Sequence, residues 1–228
     1  METKEFDLKG FSGIEIGGAF KADIVRSDSF RVTVTADDFT HIRVEKADNS
    51  LIIRRQGIQW FAPIRSRPTA TVTLPILTEL DISGASDVKL ENFQSDNNLT
   101  ITLSGASHIE ANDISAGRIE ANVIGASTLN GSIKAAKDAL FDLSGASKMD
   151  LKGTGTGMTL KVSGASKAEL SQFPVQNAGL NISGASSAFV NLDGRLDADV
   201  SGASKLYWSG SPTMGDIKTS GASNIRQK

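Results

Sequence analysis

Phe141-Asp142-Leu143-Ser144-Gly145-Ala146-Ser147-Lys148-Met149-Asp150-Leu151 is the stretch on which the fold turns. Phe141, Leu143, Gly145, Ser147, Met149 and Leu151 stand two apart, and the residues between them are mostly polar. Period 2 is the signature of an extended strand, whereas a helix needs 3.6. The phase passes through Gly-Ala-Ser without a break. That tripeptide returns eight times, with its glycine at Gly84, Gly105, Gly125, Gly145, Gly164, Gly184, Gly202 and Gly221. Successive glycines are 21, 20, 20, 19, 20, 18 and 19 residues apart. A repeat near this length marks a solenoid, in which each coil buries its apolar side only against its neighbours.

The same alternation gives Leu80, Ile82, Gly84, Ser86, Val88 and Leu90 in the first repeat, and Leu160, Val162, Gly164, Ser166, Ala168 and Leu170 in the fifth. Parity places the glycine and the following serine inward, at a narrow corner where a large residue would not fit. Ser86, Ser107, Ser127, Ser147, Ser166, Ser186, Ser204 and Ser223 then stack as an internal ladder of hydroxyls. Ser83, Ala85, Ser104, Ala106, Ile124, Ala126, Ser144 and Ala146 form an outward strip of mostly small residues, a surface on which a second copy of the chain could pack. Connections such as Ser95-Asp96-Asn97-Asn98, Gly153 to Gly157, Asp193-Gly194-Arg195 and Ser209-Gly210-Ser211-Pro212 carry turn chemistry and vary in length. A left-handed hexapeptide helix, with coils of about 18 residues in three equal strands, fits less well. The expected fold is all-β: a right-handed parallel β-helix of coils near 20 residues. With strands about 4.8 Å apart, eight coils stack to roughly 35 Å.

Residues 1–79 are β-rich without Gly-Ala-Ser. Ile14, Ile16, Gly18, Phe20, Ala22 and Ile24 alternate first, followed by Phe30, Val32 and Val34, and by further short runs as far as Val72 and Leu74. Turn signals separate them. Such strands before a solenoid suit coils ending in a cap, because a first coil would otherwise expose a sheet edge. No Pro/Ser/Gly-rich linker falls near residue 79, so residues 1–228 read as one domain.

With 24 basic and 26 acidic residues, the net charge of −2 gives no reason to expect nucleic acid. No apolar run is long enough for a transmembrane segment. The opening Met1-Glu2-Thr3-Lys4-Glu5 is polar and acidic, unlike a signal peptide. The absence of cysteine excludes disulfides and thiolate chemistry but fits cytoplasm, periplasm and cell surface alike.

Phe11-Ser12-Gly13-Ile14-Glu15-Ile16-Gly17-Gly18-Ala19-Phe20-Lys21-Ala22-Asp23-Ile24, then Val32-Thr33-Val34-Thr35-Ala36 and Leu51-Ile52-Ile53, then iterated Ser-Gly-Ala-Ser, resemble the autotransporter adhesin head GIN domain family. The likeness covers nearly the whole chain. It implies a β-helical envelope protein of Bacteroidetes type, secreted or lipid-anchored, with an extracytoplasmic location and a signal absent from the sequence. It supplies no catalytic residues. Ile124, where the other repeats have serine before the glycine, departs from the pattern.

Catalytic signals are thin. His41 and His108 stand alone, without a ligand spacing around them, and read as ordinary surface residues of strands. A serine repeated eight times is a structural device, since a nucleophile is one residue beside a base. Asp81, Asp87, Asp142, Asp150, Asp193, Asp197 and Asp199 lie along the array; Asp197 and Asp199 share a face, and Asp81 and Asp142 are equivalent sites three coils apart. Glycan cleavage would need two such carboxylates across one bond, or a calcium cluster with a base. Gly153-Thr154-Gly155-Thr156-Gly157 lacks the Gly-Lys-Ser/Thr ending of a phosphate loop. Thr33/Thr35 and Thr71/Thr73 do not recur through the coils, which argues against an ice-binding array. No catalytic residue, metal site or cofactor is expected.

Residues 54–68 stand apart. Arg54, Arg55, Arg65 and Arg67 surround Trp60 and Phe61, with Gly57, Pro63 and Pro68 to break regular structure. Arginine with aromatics is typical of recognition surfaces. The plainer reading folds Trp60 and Phe61 over the open end of the coil as a lid. The chain is therefore expected to be a noncatalytic cell-surface adhesin-like module, with a glycan or surface protein as partner and self-association through the small-residue strip. The alternatives are a polysaccharide-active enzyme, a pectinase-like lyase or hydrolase, and a self-assembling β-helical scaffold.

Overall fold

The structure, a computed structural model, describes residues 1–56 and 67–228. Each Gly-Ala-Ser coil gives one strand before its corner and one after it. In the fourth coil Ala139–Leu143 runs into the corner 144–147 and continues as Lys148–Thr154. The first of these lies parallel between Ile119–Val123 and Gly157–Val162, with Phe141 beside Ala121 and Leu160. The second lies parallel between Thr128–Ala135 and Lys167–Val175, with Met149 beside Leu129 and Ala168. Iterated, this builds two long sheets with one apolar core between them. Phe141, Leu143, Met149 and Leu151 are buried, and Phe141 meets Phe173 edge-on at 5.8 Å. Burying each large side chain contributes about 1.5–3 kcal/mol. The chain is the β-helix that the repeat predicts, with coils of about 20 residues.

The corner differs from the sequence expectation in one respect. The ladder serines do point inward: Ser86, Ser107, Ser127, Ser147, Ser166, Ser186 and Ser204 are buried. The glycines do not, and Gly145 and Ala146 are both exposed. Glycine is required there by the backbone, because all eight repeat glycines have φ between 70° and 83°, a left-handed conformation costly for residues with a Cβ. Parity assigned them inward because the chain turns at the corner, and inside and outside lose their meaning for those two residues. The ladder hydroxyls satisfy backbone carbonyls. Ser147 Oγ donates to the Ser144 carbonyl at 2.7 Å and lies 3.3 Å from the Gly125 carbonyl of the preceding coil. Ala146 N–H donates to that same Gly125 carbonyl at 2.7 Å, so backbone hydrogen bonds link the coils around the turn.

The N-terminal third is coil as well as cap. Its strands are β1 Glu2–Phe6, β2 Gly13–Gly17, β3 Lys21–Arg26, β4 Arg31–Ala36, β5 Ile42–Ala47, β6 Ser50–Arg55 and β7 Thr69–Leu74; β8 Glu79–Ser83 and β9 Asp87–Glu91 open the Gly-Ala-Ser array. β2 pairs parallel with β8 and β3 with β9, which sets Gly17 beside Ser83 and Lys21 beside Asp87. Gly18-Ala19-Phe20 therefore stands where the next coil has Gly84-Ala85-Ser86. Phe20 fills the ladder position, fully buried, and its N–H donates to Ser86 Oγ at 3.3 Å. On the other side of β2 and β3, β6 and β7 form one more parallel coil. Antiparallel strands then finish both sheets: β4 on β7 and β1 on β4 in one, β5 on β6 in the other. β1 is lined by Glu2, Lys4 and Glu5, and such charges discourage edge-to-edge pairing. Among the described residues no helix is long and apolar enough to cross a membrane.

Candidate functional site

The connection between β6 and β7 is longer than those of the other coils. Between Leu103 and His108, or Leu143 and Lys148, four residues suffice; between Arg55 and Thr69 the chain spends thirteen, residues 56–68. Trp60, Phe61 and Arg65 lie outside the described residues. Arg54 and Arg55 precede the insertion and Arg67 stands near its end, and the frame engages them. Arg54 forms an ion pair with Glu15 on the neighbouring β2. Arg67 Nε donates to the Ala19 carbonyl at 3.1 Å, its Nη2 donates to the Ala85 carbonyl, and Nη1 lies 3.9 Å from Asp87. Its guanidinium thus spans the first two corners of the row and ties the end of the insertion to them. Arg55 packs under Gly18, where a Cβ would come within 2.7 Å of the Arg55 Cβ. Arg55 Nη1 is buried without a hydrogen-bond partner among the described residues.

Sequence reading found these arginines but not their partners. Glu15 and Asp87 lie 39 and 20 positions away, and only the stacking of coils brings them close. The available signal was the matching alternation of Ile14 to Ile24 and Leu80 to Leu90, which sets the two runs in register.

Asp81 and Asp197 do not assemble into an acid–base pair. Asp81, half-buried on β8, has its carboxyl pushed above the ordinary range by burial, which Arg54 opposes and Glu79 reinforces. Its neighbour in register, Glu15, is engaged by Arg54. Near the other end Asp197 is clamped by Arg195, at 2.8 Å from Nε and 2.7 Å from Nη2, and accepts the Asp216 N–H at 2.7 Å. Those hydrogen bonds hold its carboxyl below the ordinary range. Asp197 is therefore kept ionised, while Asp81 lies many coils away; glycoside cleavage needs both kinds of carboxyl at one bond. Among the described residues no group of three His, Cys, Asp or Glu side chains is placed to hold a metal ion.

A two-sheet parallel β-helix with one long connection, between β6 and β7, is thus the class of protein that the chain defines. The family profile described as "Putative auto-transporter adhesin, head GIN domain" matches residues 10–212, and the chain belongs to that family. No curated protein matches the sequence. The fold is similar to that of a putative adhesin from Parabacteroides merdae, with a TM-score of 0.89 and 15% identity over 100% of this chain and 95% of that one. It is also similar to a putative adhesin from Bacteroides fragilis, with a TM-score of 0.69, 21% identity, and 100% and 96% of the two chains covered. A putative lipid binding protein from Parabacteroides distasonis aligns with a TM-score of 0.75 and 19% identity over 99% and 96%.

Proposed function

We propose that the chain is a noncatalytic, extracytoplasmic binding module of adhesin type, and that it engages a glycan or a surface protein through the insertion between β6 and β7. One observation carries this reading. A rod of nearly invariant four-residue corners opens at one place into thirteen residues bearing Trp60, Phe61, Arg65 and Arg67. Insertions in solenoids collect on their binding faces, and aromatic and arginine side chains dominate recognition surfaces. The family description and the names of the similar structures point the same way. One similar structure is named for lipid binding, but here side chains fill the space between the sheets, so a lipid would have to bind outside it.

The test separates recognition from capping. The parent and Trp60→Ala are compared on an array of glycans and Bacteroidetes surface proteins, with melting curves alongside. Recognition predicts lost binding and stability within about 0.5 kcal/mol, as for a surface change. A loss of about 3–5 kcal/mol, with binding by the parent absent throughout, would make the segment a lid.

A further inference from the structure

At the opposite end of the array, the outer face of one sheet carries two parallel rows whose members sit side by side in register. One row runs Glu110, Asn130, Asp150, Glu169, Phe189, Tyr207, Arg226; the other runs His108, Thr128, Lys148, Lys167, Ser187, Lys205, Asn224. In the middle of the array acid answers base, with Lys148 at 3.9 Å from Asp150 and Lys167 at 3.5 Å from Glu169. In the next coil the acids stop. Phe189 and Tyr207 replace them, stacked at 4.9 Å with their planes 12° apart, and Lys167 and Lys228 stand over the Phe189 ring at 5.0 and 5.4 Å. The bases continue. Lys205, Arg226 and Lys228 have no carboxylate within 4 Å among the described residues.

The two rings, Arg226, Gln227 and Lys228 line a groove of about 460 Å³, a size typical of small-molecule sites. Gln227 is fixed there by its Nε2, which donates to the Gly210 carbonyl at 3.0 Å, and the Lys228 N–H donates to the Trp208 carbonyl at 2.9 Å.

We propose that this groove is a second binding site, for an acidic saccharide. Half-buried aromatic rings offer apolar contact to the C–H groups of a sugar while keeping a wet edge. An arginine fork matches a carboxylate bidentately, and Lys205 and Lys228 add charge around it. The chain's own alternation of acid and base is broken here, and a carboxylated sugar supplies both missing parts, the anion and an apolar surface for the rings. A phosphate alone would answer only the cations. The site stands independently of the segment between β6 and β7, two strands that lie toward the other end of the sheets.

The experiment is calorimetric titration of the full chain with tetragalacturonic acid, with neutral maltotetraose, and with phosphatidylcholine vesicles containing phosphatidylglycerol. Saturable binding of the uronate, at least about tenfold tighter than the neutral sugar and weakened by salt, is expected. Arg226→Gln combined with Lys228→Gln should weaken it by about tenfold or more, while Trp60→Ala leaves it unchanged. Both cations are exposed, so the melting curve should not move; Lys205→Gln provides a second variant if it does. Uronate binding no tighter than that of maltotetraose, or indifferent to the groove variants, overturns the proposal, as does binding confined to vesicles. Uronate binding lost in Trp60→Ala would overturn it too, while supporting the insertion as the binding site.

Discussion

Gly145→Ala tests the corner most directly, because its cost can be worked out from the geometry. Gly145 has φ 83°, and a Cβ there would lie 2.5 Å from the Gly125 carbonyl oxygen and 3.1 Å from Gly125 Cα and N. A left-handed residue with a Cβ costs about 1–2 kcal/mol. The oxygen that must yield already accepts from Ala146 N–H at 2.7 Å and faces Ser147 Oγ at 3.3 Å. Weakening one or two such bonds adds about 0.5–1.5 kcal/mol each. The expected loss is about 2–4 kcal/mol, and each kcal/mol lowers the melting temperature of a chain this long by about 2–4 °C. Gly179→Ala is the control. It lies within the strand Asn177–Ile182, outside the left-handed region, with nothing within 4 Å of its added Cβ. There the loss of unfolded-state freedom should raise stability by about 0.4–1 kcal/mol.

Denaturant unfolding followed by circular dichroism measures both variants. Solenoids need not unfold in one step, so amide exchange at Ala146 reports the corner locally. Equal midpoints for Gly145→Ala and the parent, or equal losses in the two variants, would refute the reasoning.

Ser147→Ala removes the donor to the Ser144 carbonyl, while the Gly125 carbonyl keeps the Ala146 N–H, and should cost about 1–3 kcal/mol in the same unfolding assay. Asp81→Asn should raise the melting temperature near neutral pH and leave it unchanged below pH 3.8, the ordinary aspartate value. With its folded pKa raised, the folded chain holds this proton more tightly, so the group's stabilisation is complete below 3.8 and is lost as pH rises through the folded value. A Tm difference of constant size across the pH series would show that the folded pKa of Asp81 is not raised.

The sequence by itself determined the repeating coil. Apolar parity from Phe141 to Leu151 is a local property, because a strand sends alternate residues to opposite faces wherever it is placed. Eight returns of Gly-Ala-Ser then forced stacking, since a single coil cannot bury its own apolar face. The inward serine ladder followed from the same parity. Parity misled only at the glycines, because it assumes an extended backbone and the corner is a turn.

Only the tertiary structure decided how residues 1–79 join the array. Gly18-Ala19-Phe20 carries no serine, and its equivalence to Gly84-Ala85-Ser86 lies in the pairing of β2 with β8 and β3 with β9, across more than 60 positions. The order is also folded back: β6 and β7 come later in the chain than β2 and β3 yet lie outside them, and no local pattern encodes which neighbour a strand chooses. The candidate sites divide in the same way. Arginine and aromatic composition marked residues 54–68, but the ties of Arg54 to Glu15 and of Arg67 to two corner carbonyls depend on stacking. Phe189, Tyr207 and Arg226 stand 18 and 19 positions apart and become one surface only because successive coils lie a strand's width from each other.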